Sequence, residues 1–504
     1  MNTNLAYASE RIVEAFHRQV EITPKKYTAL YLAIKQCIKS EDLPANWDIP
    51  ATRKLSETLG ISRTTVITAY ELLLLEKLII AKPGSGYKIA DNTDEKEIES
   101  ELQSEKTPAS YPAISQKGQA FLENVGLLNR GEDAGIAFKP GLPPIDSFPI
   151  NKWKNLLNVY WRYIRSSDLS YGQTTGTYHL KEQITNYLKV SRAIKVSPEQ
   201  IIIVSGSLQS IYLVASAVID VDDAVVVENP TFPNVHSIFK SFRSKLIPIS
   251  IDEEGLKIDE LKRQTKYEKP KIIHLTPSNH YPLGSKMSLN RRKSIVQWAS
   301  ENKAYIIEND YEHEVGNDSV RLPSIYNLDT ENRTIYLGTF NRLLYPSIRL
   351  GFMIVPKPLV HVIQALQEHS HRFVAPSIQI VMGQFIEKNF LYQHLENMVE
   401  VAKKRFNIFM QTIENENTNK VRILQNSFCS LHTTLVFQPQ ISRKKEKQII
   451  SELANEGISV FPLSKCYVNN SVETGLIVGF STLRSSQIPE KTKILLRTIT
   501  ENTT

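Results

Sequence analysis

Polar side chains follow several apolar runs of this sequence, at places where they could form a ligand site. The runs are QIIIVSG, AVVVENP, PKIIHLTP, AYIIEND and TIYLGTF, and helical stretches separate them. Continuous apolar runs predict strands buried on both faces, and their alternation with helices predicts a largely parallel α/β sheet. Ligands bind beyond the carboxyl ends of the strands in such sheets. The polar residues at those ends are Ser205, Asn229, Ser278, Asn279, Asn309, Asp310 and Asn341.

The chemistry of this sheet edge favours an anionic ligand. Ser205, Gly206 and Ser207 open a helix directly after a buried strand, so the first N–H groups of that helix would point at the site. Arg342, in the segment IYLGTFNRLLYPSIRLGF, adds a cation. Arginine stays protonated because its pKa lies above about 12, and a guanidinium has no free amine that could attack an aldehyde.

Length and composition predict a soluble cytoplasmic protein of two or more domains. The chain has 504 residues, of which 41% are hydrophobic and 22% charged, and its net charge is +7. That charge permits a nucleic-acid surface without requiring one. The three cysteines have no metal-ligand spacing and suit a reducing compartment. Charges interrupt the N-terminus where a signal peptide needs an apolar core, and no apolar run approaches the ~20 residues that span a bilayer.

An acidic segment divides the chain. Residues 91–107 carry seven acids and two lysines and no aromatic residue. Such a segment buries too little apolar surface to fold alone, so it predicts a linker, with an exposed charged helix as the alternative. We therefore expect a first domain at 1–90, a linker at 91–117, a large domain at 118–384 and a smaller α+β subdomain at 385–504.

The first domain has the pattern of a winged helix-turn-helix. TRKLSETLG predicts a short helix that ends at Gly60, and SRTTVITAYELLLLEK predicts a second helix with Ser62 as its N-cap. The second helix would enter the major groove of DNA by its N-terminal end, which offers Ser62, Arg63, Thr64 and Thr65. LIIAKPGSGYKIA predicts a hairpin that would form the wing.

The stretch from IPATRKL to GSGYKIA resembles the winged helix-turn-helix of GntR-family repressors over its whole length. The resemblance implies that Arg53, Arg63, Thr64, Thr65 and the wing glycine Gly86 contact double-stranded DNA. Residues 1–90 hold 12 Lys and Arg against 9 Asp and Glu, a net charge of +3. Any basic surface for DNA is therefore local. The alternative for the polar residues is a solvated helix face.

The rest of the chain resembles fold-type I aminotransferases and, more closely, the aminotransferase-like domain of MocR regulators, a GntR subfamily. The matching segments include KPGLPPIDSFPINKW, LSYGQTTGTYHLKEQI, HLTPSNHYPLG, YIIENDYEHE and YLGTFNRLLYPSIRLGF. The resemblance implies a head-to-tail homodimer, with Tyr171 near the neighbouring subunit's site. It also implies a pyridoxal 5'-phosphate site, and the residues carried over to it are Ser207, Leu208, Phe232, Asn279, Asn309, Tyr311, Arg342 and Arg349.

Each of these positions has an implied role. Ser207 and Arg349 would bind the phosphate, Phe232 would stack on the ring, and Tyr311 would bond the ring hydroxyl. Leu208 stands where the family usually has a polar side chain, so one donor is lost. Asn279-His280 replaces the family's His-Gln.

Two further departures from the family pattern remove the groups that transamination needs. The family reads Phe-Ser-Lys where this chain reads Phe340-Asn341-Arg342, so the lysine that forms a Schiff base with the cofactor is absent. Asn309 replaces the aspartate that pairs with the ring nitrogen, and a neutral amide cannot stabilise a pyridinium by charge. Asp310 could substitute for that aspartate only if the turn shifts.

The sequence therefore predicts a DNA-binding transcription regulator with no catalytic residues and no metal site. Its degenerate aminotransferase-like domain dimerises and senses a small anionic ligand non-covalently, or serves dimerisation alone. The alternatives are an active aminotransferase, which would need Lys286 or another lysine to reach the cofactor, and a MocR sensor that has tolerated the change from lysine to arginine.

Overall fold

A computed structural model gives the structure of residues 3–82, 86–91, 112–128, 135–315, 322–416, 419–425, 427–469 and 473–503. The chain divides into two compact units, Met1–Ala113 and Ile114–Thr504. Most of the predicted linker, residues 92–111, lies outside the described residues. No helix among the described residues is long and apolar enough to cross a membrane.

The first unit packs four helices against a small sheet. The helices are α1 (Thr3–Ile22), α2 (Lys26–Lys39), α3 (Thr52–Leu59) and α4 (Arg63–Leu75), and the strands are β1 (Asp48–Ile49), β2 (Ile79–Lys82) and β3 (Gly86–Ile89). The three strands pair antiparallel in the order β1-β3-β2.

The core of this unit follows from helical spacing. One face of α4 buries Val66, Ala69, Tyr70 and Leu73, which recur at helical spacing. Helix α1 was not predicted, although Ala8, Ile12, Ala15 and Phe16 form its buried stripe. Gly60 ends α3 in the left-handed conformation (φ 61°), which a glycine adopts without strain.

A sheet of eight strands organises the second unit. Its strands are β4 (Ile201–Val204), β5 (Ala224–Asn229), β6 (Lys245–Asp252), β7 (Gly255–Leu256), β8 (Ile272–Leu275), β9 (Tyr305–Asn309), β10 (Thr334–Thr339) and β11 (Gly351–Ile354). Their order is β4-β11-β10-β9-β8-β5-β6-β7, and the five central strands from β10 to β6 are parallel. The five apolar runs quoted from the sequence coincide with β4, β5, β8, β9 and β10.

Helices cover both faces of this sheet, so β4, β8, β10 and β11 are buried at every position, whereas β6 near the edge is mostly half-buried. The helices of the unit are α5 (Gln116–Asn124), α6 (Ile150–Tyr163), α7 (Tyr178–Arg192), α8 (Ser207–Val218), α9 (Pro233–Ser241), α10 (Ile258–Gln264), α11 (Leu289–Asn302), α12 (Ile325–Leu328), α13 (Lys357–Ser370), α14 (Pro376–Glu387), α15 (Phe390–Glu416), α16 (Arg443–Asn455) and α17 (Ile488–Thr503). Alternate strand residues face different cores: Ile202 and Val204 pack with α8 and α13, whereas Ile201 and Ile203 pack with α7 and α14.

The C-terminal part carries a second, smaller sheet. Its strands are β12 (Val421–Ile423), β13 (Thr433–Phe437), β14 (Phe461–Pro462) and β15 (Gly475–Val478), all antiparallel, in the order β12-β13-β15-β14. The combination of a parallel α/β sheet with a smaller α+β part agrees with the predicted fold class.

Two of the predicted domain boundaries fall inside helices. The boundary at 384/385 falls inside α14, which runs unbroken from Pro376 to Glu387. The predicted linker ends at 117, but α5 begins at Gln116, where the Ser115 hydroxyl accepts a hydrogen bond from the Gly118 amide (3.0 Å). Capping residues set that helix start, and the acidic composition of the linker gave no sign of it.

Candidate functional site

The N-terminal end of α4 presents the residues predicted to contact DNA. Arg63 and Thr64 are exposed, and no described residue accepts a hydrogen bond from the Arg63 guanidinium. Ser62 caps the helix: its Oγ accepts from the Thr65 amide at 3.2 Å and lies 2.8 Å from Thr65 Oγ1. Two of the four residues therefore use their hydroxyls to form the helix end, and the side chains of the other two remain at the surface.

The remaining predicted DNA contacts also lie at the surface of this unit. Arg53 is exposed and forms a weak ion pair with Glu57, one turn along α3 (3.3 Å). Gly86 begins β3 with φ 107°, a conformation that side chains rarely adopt. Gly84 and Ser85, the rest of the predicted wing turn, lie outside the described residues.

In the second unit a cavity of about 350 Å³ opens at the carboxyl edge of the sheet. It gathers Ser207, Leu208, Phe232, Asn309, Tyr311, Arg342 and Arg349. Asn279 is not among the lining residues; it is buried beneath them, where its Nδ2 donates to Glu312 (3.1 Å) and to the carbonyl of Cys429 (3.0 Å).

One part of the cavity wall is a helix N-terminus. Gly206 precedes α8 with φ 131°, and a Cβ added there would come within 2.5 Å of Asn341 Nδ2. The first amides of α8 have no acceptor within the helix and are available to an anion. Arg349 lies beside them, with its Nη2 at 3.4 Å from Ser205 Oγ. Leu208, in the first turn, is 37% exposed and offers no side-chain donor.

Asn341 holds this part of the wall together. Its Nδ2 donates to the carbonyl of Ser205 (3.1 Å), and its Oδ1 accepts from the Leu350 amide (2.9 Å). These bonds tie the loop after β10 to the end of β4 and to the residue before β11. The side chain at 341 therefore positions the cradle and does not face a ligand with its polar atoms.

Arg342 lies against aromatic rings in another part of the wall. Its Cζ is 4.9 Å from the ring centre of Tyr311, 5.1 Å from that of Phe232 and 6.0 Å from that of Tyr281. Such distances allow cation–π attraction. The rings of Phe232 and Tyr281 stack at 3.7 Å, nearly parallel. Tyr281 therefore covers one face of Phe232, a contact that the sequence did not indicate.

Arg342 also pairs with Glu312, a residue that the sequence did not single out. Arg342 Nη1 is 2.9 Å from Glu312 Oε1, and the Glu312 side chain is completely buried. The second oxygen of Glu312 accepts from Ser430 Oγ (2.8 Å) as well as from Asn279. The carboxylate thus links the cavity wall to the segment before β13. Its position three residues after Asn309 was the only available signal.

Two buried polar atoms of the lining residues have no hydrogen-bond partner among the described residues. They are Asn309 Oδ1 and the Tyr311 hydroxyl. Asn309 Nδ2 lies 3.4 Å from His274 Nε2, which leaves the amide oxygen for a donor. Burial raises the pKa of Tyr311 well above its usual value, so the hydroxyl keeps its proton. Buried polar groups normally find partners, and a bound ligand would supply them here.

Asp310 does not take the place of Asn309. Burial opposes its ionisation, but Arg192 at 2.9 Å lowers the pKa of Asp310 to about 2. The Tyr336 hydroxyl also donates to Asp310 (2.7 Å), which is not among the residues that line the cavity. The turn does not shift, so no carboxylate of the described lining faces a ligand ring.

Lys286, which the aminotransferase alternative would bring to the cofactor, does not line this cavity. Lys286 lines a separate cavity of about 560 Å³, together with residues such as Tyr187, Arg192 and His313. Among the described residues that line the candidate site, Lys139 is the only lysine. His280, to which we assign no catalytic role, is buried; burial lowers its pKa to about 3, and its Nε2 lies 3.1 Å from the carbonyl of Pro230.

The residues of this site fit pyridoxal 5'-phosphate in part. The helix N-terminus and Arg349 suit its phosphate, and the unpartnered atoms of Tyr311 and Asn309 suit a ring hydroxyl and a ring N–H. Arg342 offers no covalent bond to the cofactor, because a guanidinium has no free amine that could attack an aldehyde. The residues present could hold the cofactor non-covalently through its phosphate and ring.

Fold and site together define a winged DNA-binding module joined to an aminotransferase-type domain. Residues 147–480 match the family model of class I and II aminotransferases, and residues 26–89 match that of bacterial regulatory proteins of the gntR family. The chain belongs to both families, and this combination is that of the MocR-type transcription regulators. The predicted fold class and the predicted function as a DNA-binding regulator are thereby confirmed.

Individual relatives agree with this assignment. The chain is 31% identical over 475 residues to the uncharacterized HTH-type transcriptional regulator YdeL of Bacillus subtilis, a match that covers 93% of this chain and 96% of that protein. It is 28% identical to the probable rhizopine catabolism regulatory protein MocR of Rhizobium meliloti, over 90% of this chain and 89% of that protein. The structure of the α-aminoadipate aminotransferase LysN from Thermus thermophilus covers 77% of this chain and 99% of its own, with a TM-score of 0.69 and 22% identity, and shows the fold.

Proposed function

We propose that the protein binds operator DNA through the N-terminal end of α4 and holds an anionic ligand non-covalently in the cavity of its second unit. The observation that carries the first half is the exposed guanidinium of Arg63 at the first position of α4, with which no described residue pairs. An arginine at the start of a recognition helix reads a guanine edge with two hydrogen bonds or binds a phosphate.

The neighbours of Arg63 have secondary roles in this proposal. Thr64 presents a hydroxyl for phosphate and a methyl group for thymine. Ser62 and Thr65 fix the helix end from which Arg63 projects. Arg53 and Gly86 approach the DNA backbone, the first as a cation and the second through its N–H group. Since the protein acts on DNA, we place it in the cytoplasm.

Promoter DNA upstream of the gene or of a neighbouring gene tests the DNA contact. Arg63→Ala should weaken specific binding by about 5- to 150-fold, which corresponds to the ~1–3 kcal/mol of a base-contacting arginine. Arg18→Ala is the matched control, because Arg18 is an exposed arginine of α1 and its loss removes the same charge. Equal losses in the two variants, measured by titration of labelled DNA, would contradict the assignment of the recognition helix.

For the second unit we propose a receptor that does not catalyse transamination. The support is the guanidinium at 342 and the amide at 309, together with the direction of Asp310 away from the cavity. The solved LysN structure holds a phosphopyridoxyl-leucine. For the present chain we propose a ligand that likewise carries a phosphate and a flat ring, held by Arg349 and the α8 N-terminus.

We propose that the second unit forms a homodimer, arranged head to tail as the family resemblance implies. Large apolar side chains are exposed along α6 and the segment after it; they are Ile150, Trp161, Tyr163, Leu169, Tyr171 and Tyr178. A second copy of the chain would remove these side chains from water. Sedimentation of the full-length protein tests this proposal, and a monomer at micromolar concentration would contradict it.

A further inference from the structure

The cavity wall has cations and no acid among its described residues. Lys139, Arg342 and Arg349 line it, and no described aspartate or glutamate does. The N-terminus of α8 adds a partial positive charge beside Arg349. A site of this composition attracts a ligand with more than one negative group, and the two arginines define two different positions for them.

The guanidinium of Arg342 has N–H donors that no described residue uses. Glu312 takes one Nη atom, and no other described residue accepts a hydrogen bond from the guanidinium. Three aromatic rings surround the group and restrict its position. A planar guanidinium held in this way offers parallel N–H bonds, the geometry that matches a carboxylate. Glu312 is completely buried and is not among the residues that line the cavity, so a ligand carboxylate would meet the guanidinium first.

Between the two arginines the lining residues suit a flat polar ring. Phe232 and Tyr281 provide an aromatic wall, and the Tyr311 hydroxyl and Asn309 Oδ1 are the buried polar atoms of the described lining without partners. A ring N–H would satisfy the amide oxygen, and a ring oxygen would accept from the tyrosine. These contacts belong to the receptor site proposed above, so the identity of the ligand rests on the proposed function of the cavity.

We propose that the ligand is an aromatic phosphate with a carboxylate at the position where pyridoxal phosphate has its aldehyde, and that Arg342 is the residue that selects the carboxylate. The aldehyde is neutral, so it accepts a hydrogen bond from the guanidinium but forms no ion pair with it. A protonated amine there is repelled by the guanidinium. The expected order of affinity is therefore carboxylate, then aldehyde, then amine.

Three compounds that share one phosphate and one ring test this order. They are 4-pyridoxic acid 5'-phosphate, pyridoxal 5'-phosphate and pyridoxamine 5'-phosphate, each titrated calorimetrically into the full-length protein. We expect the carboxylate to bind about tenfold more tightly than the aldehyde, because only the carboxylate adds an ion pair to the hydrogen bonds of the guanidinium. We expect the amine to bind most weakly.

Two variants locate the selectivity at position 342. Arg342→Gln keeps a polar side chain and removes the charge, so the three affinities should come within about twofold of one another. Arg342→Lys keeps the charge but loses the planar fork, so the preference for the carboxylate should fall. With a lysine there, we also expect pyridoxal phosphate to become attached to residue 342 on borohydride reduction. The double variant Arg342→Gln/Glu312→Gln avoids an unpaired buried carboxylate and replaces the single variant if that one fails to fold.

The outcomes distinguish a failure of this inference from a failure of the proposed receptor function. If all three compounds bind with equal affinity, or if the amine binds most tightly, the role given to Arg342 is wrong and the receptor stands. If none binds to the wild-type protein, the receptor itself fails and the inference fails with it. Attachment of pyridoxal phosphate to Lys139 in the wild-type protein would overturn non-covalent binding.

Discussion

Arg342 and Arg349 belong to the loop between β10 and β11 and line the same cavity, but their surroundings differ. Arg349 is exposed, lies beside the N-terminus of α8 and makes one weak hydrogen bond among the described residues, to Ser205 Oγ at 3.4 Å. Arg342 is mostly buried, lies among three aromatic rings and pairs with a carboxylate that has no exposure at all. The first is available to a ligand at little cost, whereas the second is already part of a network that joins distant segments of the unit.

The difference shows that the two parts of the wall have separate physical requirements. A phosphate cradle needs backbone amides and a cation near water, and both follow from a helix start beside a loop. A buried cation needs a partner for its charge, because an unpaired charge away from water is strongly destabilising. Glu312 is that partner, so the surrounding structure accommodates an arginine at position 342.

The largest expected effect comes from removing the partner of Arg342. Glu312→Ala leaves the guanidinium without its carboxylate and frees the Ser430 and Asn279 donors. We expect a loss of about 3 kcal/mol in the free energy of unfolding, at the lower end for a broken buried pair because Arg342 retains some exposure. Chemical denaturation measures this loss. Glu416→Ala breaks the more exposed pair with Lys493 (3.2 Å) and should cost within about 1 kcal/mol. Equal losses would mean that Glu312 does not stabilise the buried cation.

Replacing Arg349 should weaken ligand binding and have little effect on stability. Arg349→Ala removes a charge-assisted contact to the ligand phosphate, worth about 1.5–3 kcal/mol, so the affinity for pyridoxal 5'-phosphate should fall about 10- to 150-fold. The unfolding midpoint should hardly change, because the side chain is exposed. Calorimetric titration and denaturation of the same preparation check both statements. An unchanged affinity would place the phosphate elsewhere.

The smallest expected effect is a gain at Leu208. Leu208→Ser puts a hydroxyl on the first turn of α8, where the present side chain offers no donor. One added neutral hydrogen bond contributes about 0.5–1.5 kcal/mol, so phosphate ligands should bind about 2- to 10-fold more tightly. Leu208→Ala is the control for the lost apolar side chain and should leave the affinity unchanged. A gain in the alanine variant as large as in the serine variant would show that the hydroxyl is not the cause.

The sequence predicted most of the elements and the edge where the site lies. Five apolar runs became β4, β5, β8, β9 and β10, because strands buried on both faces need apolar residues throughout. The residues after them converge because parallel strands end at one edge. Helix α1 was missed although its apolar spacing was present. The helix that crosses 384/385 was divided because composition does not show where a helix ends.

What the sequence by itself determined is the identity of the groups: the guanidinium of Arg342, the amide of Asn309 and a helix start that attracts anions. The tertiary structure decided which partners those groups have. Glu312 beneath Arg342, Tyr281 on the face of Phe232 and Asp310 turned toward Arg192 are contacts between residues that local patterns do not relate. The sequence specifies which chemical groups are present. The pairing of buried charges and rings depends on which strands and loops the fold brings side by side.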